Sequence, residues 1–306
     1  MVGASSLSEG MLVRHPKKPE WGLGKVLVAG GGSATVFFKD DPADYRKFLL
    51  DRISLDIAEI QSDPILDNLP PFVDGKFSTK TKKVTIQDGI EEFKRRFPLG
   101  FEDPSYLGGK SVGVYGERNY KLHAHERYLE AFGDGRGEAL LAAGKFDELR
   151  DQAQAIATKE KMNLLSPYEA MAFRDGLAAS DTVTAEFFSA LFDFVRNGPE
   201  PQEFKALANA VNNIPVETGR SRAATWPVQT LFPFLADPAR FIFLKPEPTK
   251  ACADRLRFEL LYDSTLHWVT YERLLEMGTH LLEKLRPLGA KDFIDVQSFM
   301  WVIEKY

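Results

Sequence analysis

The sequence predicts an α+β fold, a small N-terminal β barrel followed by a mostly α-helical domain. Three observations carry that prediction. Short apolar runs broken by glycines occupy residues 10–57, apolar residues recur at i, i+3, i+4 and i+7 through the later part of the chain, and the 306 residues are roughly twice the usual size of one domain. The expected division is residues 1–60 for the barrel and 61–306 for the helical part.

In GMLVRHPKKPEWGLGKVLVAGGGSATVFFKD, residues 11–15, 24–28 and 34–38 read as strands and Gly30-Gly31-Gly32 as a turn. Trp21 and His15 either plug the barrel and satisfy a turn, respectively, or Trp21 is an aromatic for a partner. Residues 49–69, with Ile53, Ile57 and Ile60 in register, predict a short helix ending near Pro64, and Pro70-Pro71 marks a boundary. Residues 84–86 read as extended, and residues 90–97 as a helix with Lys94, Arg95 and Arg96 in its last turn, where cations suit the helix dipole. Ser180-Asp181 opens a helix bearing Phe187, Phe188, Leu191, Phe192 and Val195. Phe204, Leu207, Ala208 and Val211 repeat the spacing, and the run from Tyr271 to Leu285 keeps it until Pro287 and Gly289. Pro227 and Pro233 are expected to interrupt an apolar helix and open irregular structure.

Composition narrows the function classes. Hydrophobic and charged shares of 44% and 27% are those of a globular protein. The single cysteine, Cys252, makes no internal disulfide, and no Cys/His spacing suits zinc, so a reducing compartment, the cytoplasm by default, is expected. No run is long and apolar enough for a bilayer. Net charge is −5, yet residues 76–127 carry eleven Lys/Arg against seven Asp/Glu, so either a basic nucleic-acid-facing surface or a merely solvated face fits.

Three segments hold the candidate site residues. In GVYGERNYKLHAHERY (113–128), a helix from about Glu117 puts Glu117, Tyr120, Lys121 and Ala124 on one face and Arg118, Leu122 and His125 on another. The Glu117–Lys121 pair is either a surface ion pair or an acid/base couple, while His123 and His125 point apart and make poor metal ligands. In RPLGAKDFIDVQSFMWVIEKY, Asp292 suits a helix cap, and Asp295, near Gln297 and Trp301, either orients a water or favours the helix dipole. In RAATWPVQTLFPFL, FIFLKPEPTK and LHWVTY, the residues Trp226, Lys245, His267, Trp268 and Tyr271 are either core or the walls of an aromatic, cation-bearing pocket.

No phosphate-binding loop, GxSxG elbow, HExxH motif or cysteine-nucleophile signature is present. What remains is chemistry that needs a carboxylate, an amine and an aromatic pocket, and hydrolysis of an N-glycosidic bond needs those groups.

GMLVRHPKKPEWGLGKVL followed by VFF resembles the short Tudor-like domain at the C-terminus of UvrD-type repair helicases, and more loosely that of transcription-repair coupling factors. The resemblance covers about a sixth of the chain and implies docking on RNA polymerase or nucleic acid rather than catalysis. The whole chain, through ERNYKLHAHERY, TWPVQTLFPFL, LKPEPTK and AKDFIDVQSFMW, resembles a bacterial family from phage-defence loci that includes an anti-phage DNA glycosylase. That resemblance implies excision of a modified base, glucosylated hydroxymethylcytosine, from double-stranded phage DNA, without a cofactor. LRPLGAKDF lacks the LPGVG-type hairpin of helix-hairpin-helix glycosylases, so their catalytic residues do not carry over. The expected reaction leaves an abasic site without nicking the strand. Its candidate catalytic residues are Asp295, Glu117 and Lys121, with Arg118, Tyr120, His123, Trp226, Lys245, Trp268, Tyr271 and Gln297 contacting DNA or base. A non-catalytic adaptor in repair or defence is the alternative, and a metal-dependent nuclease a third.

Overall fold

The computed structural model describes residues 7–41, 43, 45–67, 69–73, 75–77, 85–108, 116–158, 164–216 and 221–305. They fall into two compact units. The first holds the described residues up to Glu92 together with Ala251–Glu259, so it extends well past the boundary expected at residue 60.

In this first unit the strands are β1 (Leu12–Arg14), β2 (Leu23–Gly30), β3 (Ser33–Phe38), β4 (Arg46–Leu49) and β5 (Asp56–Ile57). They form one antiparallel sheet of order β4-β3-β2-β1-β5. The two-residue loop of Gly31 and Gly32, with φ of 57° and 73°, makes the β2–β3 hairpin that the glycine run predicts. Edge strands β4 and β5 do not pair among the described residues, so the expected closed barrel is an open sheet. The apolar pattern supplies the reason. A small barrel buries one face of each strand, which requires apolar and polar residues to alternate. Here apolar residues come in adjacent pairs: Val13, Val26, Ala34, Val36 and Phe38 pack on one face, and Leu12, Leu23, Leu27 and Phe37 on the other. Both faces therefore need a cover.

Trp21 packs half-buried on the first of these faces, its ring 4.8 Å from His15 and 5.5 Å from Phe38. The Arg46 guanidinium lies 4.4 Å over it and is held there by the buried Asp41. His15 Nδ1 accepts from Lys17 N, so the imidazole does satisfy a turn, and burial and the nearby Lys18 lower its pKa. Gly24 faces Phe38 so closely that a Cβ would sit 2.5 Å from its ring. Gly24→Ala is expected to cost about 1–3 kcal/mol by overpacking, read as a lower urea midpoint at unchanged slope.

On the opposite face, α1 (Pro64–Asp67) and the hairpin of β6 (Phe72–Val73) and β7 (Lys76–Phe77) cover the sheet through Leu66, Phe72 and Phe77. The helix expected to end near Pro64 instead begins there. Asp63 accepts from the amides of Ile65 and Leu66, and proline fits the first helical position. Within that stretch Leu49 closes strand β4 and residues 56–57 form β5. The returning segment 251–259 adds Arg257, whose guanidinium lies 5.3 Å from the Phe37 ring and 4.8 Å from that of Phe77, while Glu259 N donates to Pro64 O.

The remaining elements are α2 (Ile86–Arg96), α3 (Pro104–Leu107), α4 (Asn119–Phe132), α5 (Arg136–Ala142), α6 (Phe146–Thr158), α7 (Pro167–Leu177), α8 (Asp181–Asn197), α9 (Pro201–Asn212), α10 (Trp226–Ala236), α11 (Pro246–Leu256), α12 (Trp268–Leu285) and α13 (Phe293–Lys305). Val84 lies outside the described residues, but Ile86 starts a helix rather than ending a strand. Thr85 and Asp88 cap it reciprocally. Helix α8 takes Ser180 as its cap, and α12 ends at Leu285, followed by a 3-10 turn and Gly289 at φ 92°. Pro233, expected to break α10, sits inside it. All eleven residues of α10 are buried, so tertiary packing holds the helix across the proline.

The second unit, Phe93–Lys250 with Leu260 onward, is built on phenylalanine. Phe132, Phe173, Phe187, Phe188, Phe192 and Phe232 form one run of ring contacts. A second cluster, Phe93, Phe97, Phe101, Tyr106 and Phe299, sits against α13. Among the described residues no helix is long and apolar enough to cross a membrane.

Candidate functional site

The first turns of α4 and α13 meet in a polar cluster inside the second unit. Asp292 caps α13 by accepting from Ile294 N, and its carboxylate takes Arg118 as a fork, at 2.6 and 3.0 Å. Asp295, one turn on, is 1% exposed. Its Oδ1 accepts from Arg118 at 2.6 Å and from the Tyr106 hydroxyl at 2.5 Å, and its Oδ2 from Lys291 N at 2.7 Å. Burial opposes the charge of Arg118, but the two aspartates outweigh it and raise its pKa. Burial and the charge of Asp295 push the Tyr106 phenol well above its ordinary value. Asp295 lies in the first turn of α13, where its charge suits the helix dipole, and both of its oxygens also accept hydrogen bonds. Three donors already occupy it.

The second half of the cluster is Glu117, Tyr120 and Lys121, grouped at i, i+3 and i+4 as the helical spacing predicts. Lys121 is no surface residue. It is 0% exposed, and its Nζ donates to Ser298 Oγ at 2.7 Å and to Glu117 Oε2 at 3.4 Å. Burial lowers its pKa to about 8; Glu117 and Asp295 act against that shift, and the charge of Lys245 acts with it. The Glu117 side chain is 24% exposed and also accepts from Tyr120 at 3.5 Å, so it is the open carboxylate of the cluster. Burial, then Glu117, raises the Tyr120 phenol. Lys245 lies 5.3 Å over the Trp301 ring. Gln297 shares the Ser298–Trp301 side of α13 and is buried with its Oε1 unpartnered among the described residues.

The lowered Lys121 pKa has a signed consequence for stability. Between pH 8 and the unfolded lysine value the unfolded chain binds more protons, so stability from this group rises with pH across that window. Below pH 8 burial of the charge is a cost. Lys121→Met is therefore expected to fold, to be at least as stable as the parent at pH 7, and to lack the gain the parent shows on raising the pH from 8 to 10 in urea titrations.

The other predicted site residues lie elsewhere. Trp226 and Tyr271 are core: both pack on Phe204, the Trp226 indole donates to Asp263 O, and the Tyr271 hydroxyl accepts from Ile242 N. Trp268 also packs on Phe204 and, with His267, Lys205 and Asn209, lines a groove of about 720 Å³. The expected five-residue pocket therefore divides, since Lys245 belongs with Trp301. His125 is bound to Leu235 O, and His123 is half-buried on α4. Of the basic window, Arg118 and Lys121 point inward, whereas Lys94, Arg95 and Arg96 are exposed. Sequence reasoning missed Tyr106, which carries no motif, and Ser298, whose i, i+3 relation to Asp295 is a usable signal. Among the described residues no cluster of His, Cys, Asp and Glu is placed to hold a metal ion.

Residues 7–41, which span the first three strands, match the family described as "Protein of unknown function (DUF3553)". None of the site residues falls in the matched segment. No curated protein and no solved structure matches the chain.

Proposed function

We propose that the helical unit is a DNA glycosylase, excising a modified base from phage DNA and leaving an abasic site. Glucosylated hydroxymethylcytosine is the proposed base, on the resemblance described above, and the N-terminal unit docks on DNA or RNA polymerase. The observation that carries the reading is the partly open Glu117 carboxylate backed by the buried Lys121 amine. A base drawn out of the helix places its sugar against such a carboxylate, which stabilises the oxocarbenium-like transition state and guides water to C1′. Asp295, Arg118, Asp292 and Tyr106 brace the two helices that hold the pair.

Burial of Asp295 and Lys121 favours a second reading, a non-catalytic adaptor, since a closed polar cluster serves packing as readily as turnover. One assay separates them. Purified protein is incubated with unmodified and with glucosylated phage DNA, then heated in alkali. Alkali-dependent breaks in the glucosylated DNA alone are expected; salt-dependent binding without breaks leaves the adaptor, and magnesium-dependent cleavage without alkali indicates a nuclease.

A further inference from the structure

The geometry points to the groove between α9 and the start of α12 as a binding site for a free nucleoside, a flat hydrogen-bonding base that carries a neutral sugar. This goes beyond the glycosylase reading and does not depend on it. Phe293, at the start of α13, packs against Gly278, about 15 Å along α12 from Trp268, and no residue of the Glu117 cluster lines the groove.

Three features carry the inference. The first is size: the groove holds about 720 Å³, within the range of small-molecule sites, and follows α9 from Pro201 to Asn212. The second is an aromatic floor. Trp268 is half-buried, and its ring neighbours Phe204 and Tyr271 meet it at 65° and 58°, so neither stacks on its face. Its indole N–H has no hydrogen-bond partner among the described residues, whereas that of Trp226 is spent on Asp263 O. Leu261 and Val269 continue the apolar surface at 52% and 49% exposure.

The third feature is that one wall is locked and the other is open. On the loop side Asp263 N donates to Thr270 Oγ1, Thr270 Oγ1 to Leu261 O, and Thr265 N to Asp263 Oδ1, with Leu261 held at φ 48°. Opposite, α9 presents Lys205, Asn209 and Asn212 at i, i+4 and i+7. All three are exposed, and their side chains bond to nothing among the described residues. These amides therefore serve no packing role and are free for a ligand.

The polar groups select its chemistry. An asparagine amide offers one donor and one acceptor in one plane, which matches a base edge and adenine above all. Lys205 and Asp263 carry opposite charges, so the rim is balanced and favours a neutral ligand over an anion. The base stacks on Trp268 with its edge toward Asn209 and Asn212, and the sugar hydroxyls face His267 and Asp263.

The test titrates the full chain with deoxyadenosine by calorimetry, with deoxyadenosine 5′-phosphate, inorganic phosphate and methyl glucoside as the other arms. Saturable binding of deoxyadenosine with a Kd below about 1 mM is expected. Trp268→Ala and Asn209→Leu should each weaken it about 5- to 100-fold, the range for loss of one base–aromatic stack or one amide–base pair. Because Asn209 is exposed and unbonded, its variant keeps the test decisive even if Trp268→Ala folds poorly. No saturable binding of deoxyadenosine, or binding unchanged in Asn209→Leu, would overturn the proposal. So would tighter binding of either phosphate compound, which marks an anion site, or of methyl glucoside, which marks a saccharide site. Base release from glucosylated DNA plays no part in these readouts, so its absence counts against the glycosylase reading alone.

Discussion

Asp295→Asn is expected to cost the protein about 3–5 kcal/mol, the usual penalty for removing one member of a buried charge pair. The carboxylate holds the Arg118 guanidinium, the Tyr106 hydroxyl and the Lys291 amide, and an amide cannot accept from all three while presenting two hydrogens of its own. Arg118 keeps its fork on Asp292, which places the loss toward the lower end of that range. At roughly 2–4 °C per kcal/mol the melting temperature should fall by about 6–12 °C in calorimetry. Read from the sequence, Asp295→Asn is a substitution that stops chemistry while sparing the fold. Its surroundings assign the reverse, and a melting temperature within two degrees or so of the parent's would restore the first view.

Glu117→Gln should behave in the opposite way. The side chain is partly exposed and its contacts to Lys121 and Tyr120 are long, so neither carries much stability, and Gln can accept both. Loss of the charge should slow base release by about 10²–10⁴-fold, the range for a positioned acid or base, with the melting temperature almost unchanged. It should also lower the Lys121 pKa further below about 8, because Glu117 is the largest influence opposing burial there. Base release at the parent rate in the variant would remove Glu117 from the reaction.

Local pattern was a good guide to faces and a poor one to neighbours. The spacing of Glu117, Tyr120 and Lys121 groups them correctly, and the leucine run of α12 and the Ser180 cap of α8 are plain in the sequence, because helical geometry is a property of a few residues. Periodicity says nothing of which helix a face will meet. The Arg118–Asp295 pair joins residues 177 positions apart, and the burial of Lys121 follows from that meeting rather than from its own helix. Asp63-Pro64 and Thr85-x-x-Asp88 are helix-start signals, and their capping bonds prevail over the helix end and the extended segment expected there. The doublets Leu12-Val13, Val26-Leu27 and Phe37-Phe38 likewise announce a two-faced sheet rather than a barrel. Trp226 looks like a pocket ring because tryptophan often is one, and only its packing on Phe204 makes it core.

The segment 251–259 ties synthesis to assembly. Arg257 sits over Phe37 and Phe77, and Glu259 bonds to Pro64, so part of the N-terminal unit is contributed by residues that leave the ribosome long after its strands. Closure across so much chain is slow, and until residue 259 has been made the apolar surface of Phe37 and Phe77 lacks that cover. A nascent chain stalled before this point, or a fragment cut at residue 60, should therefore expose a sticky β surface and depend on chaperones, a dependence that the finished chain relieves by itself.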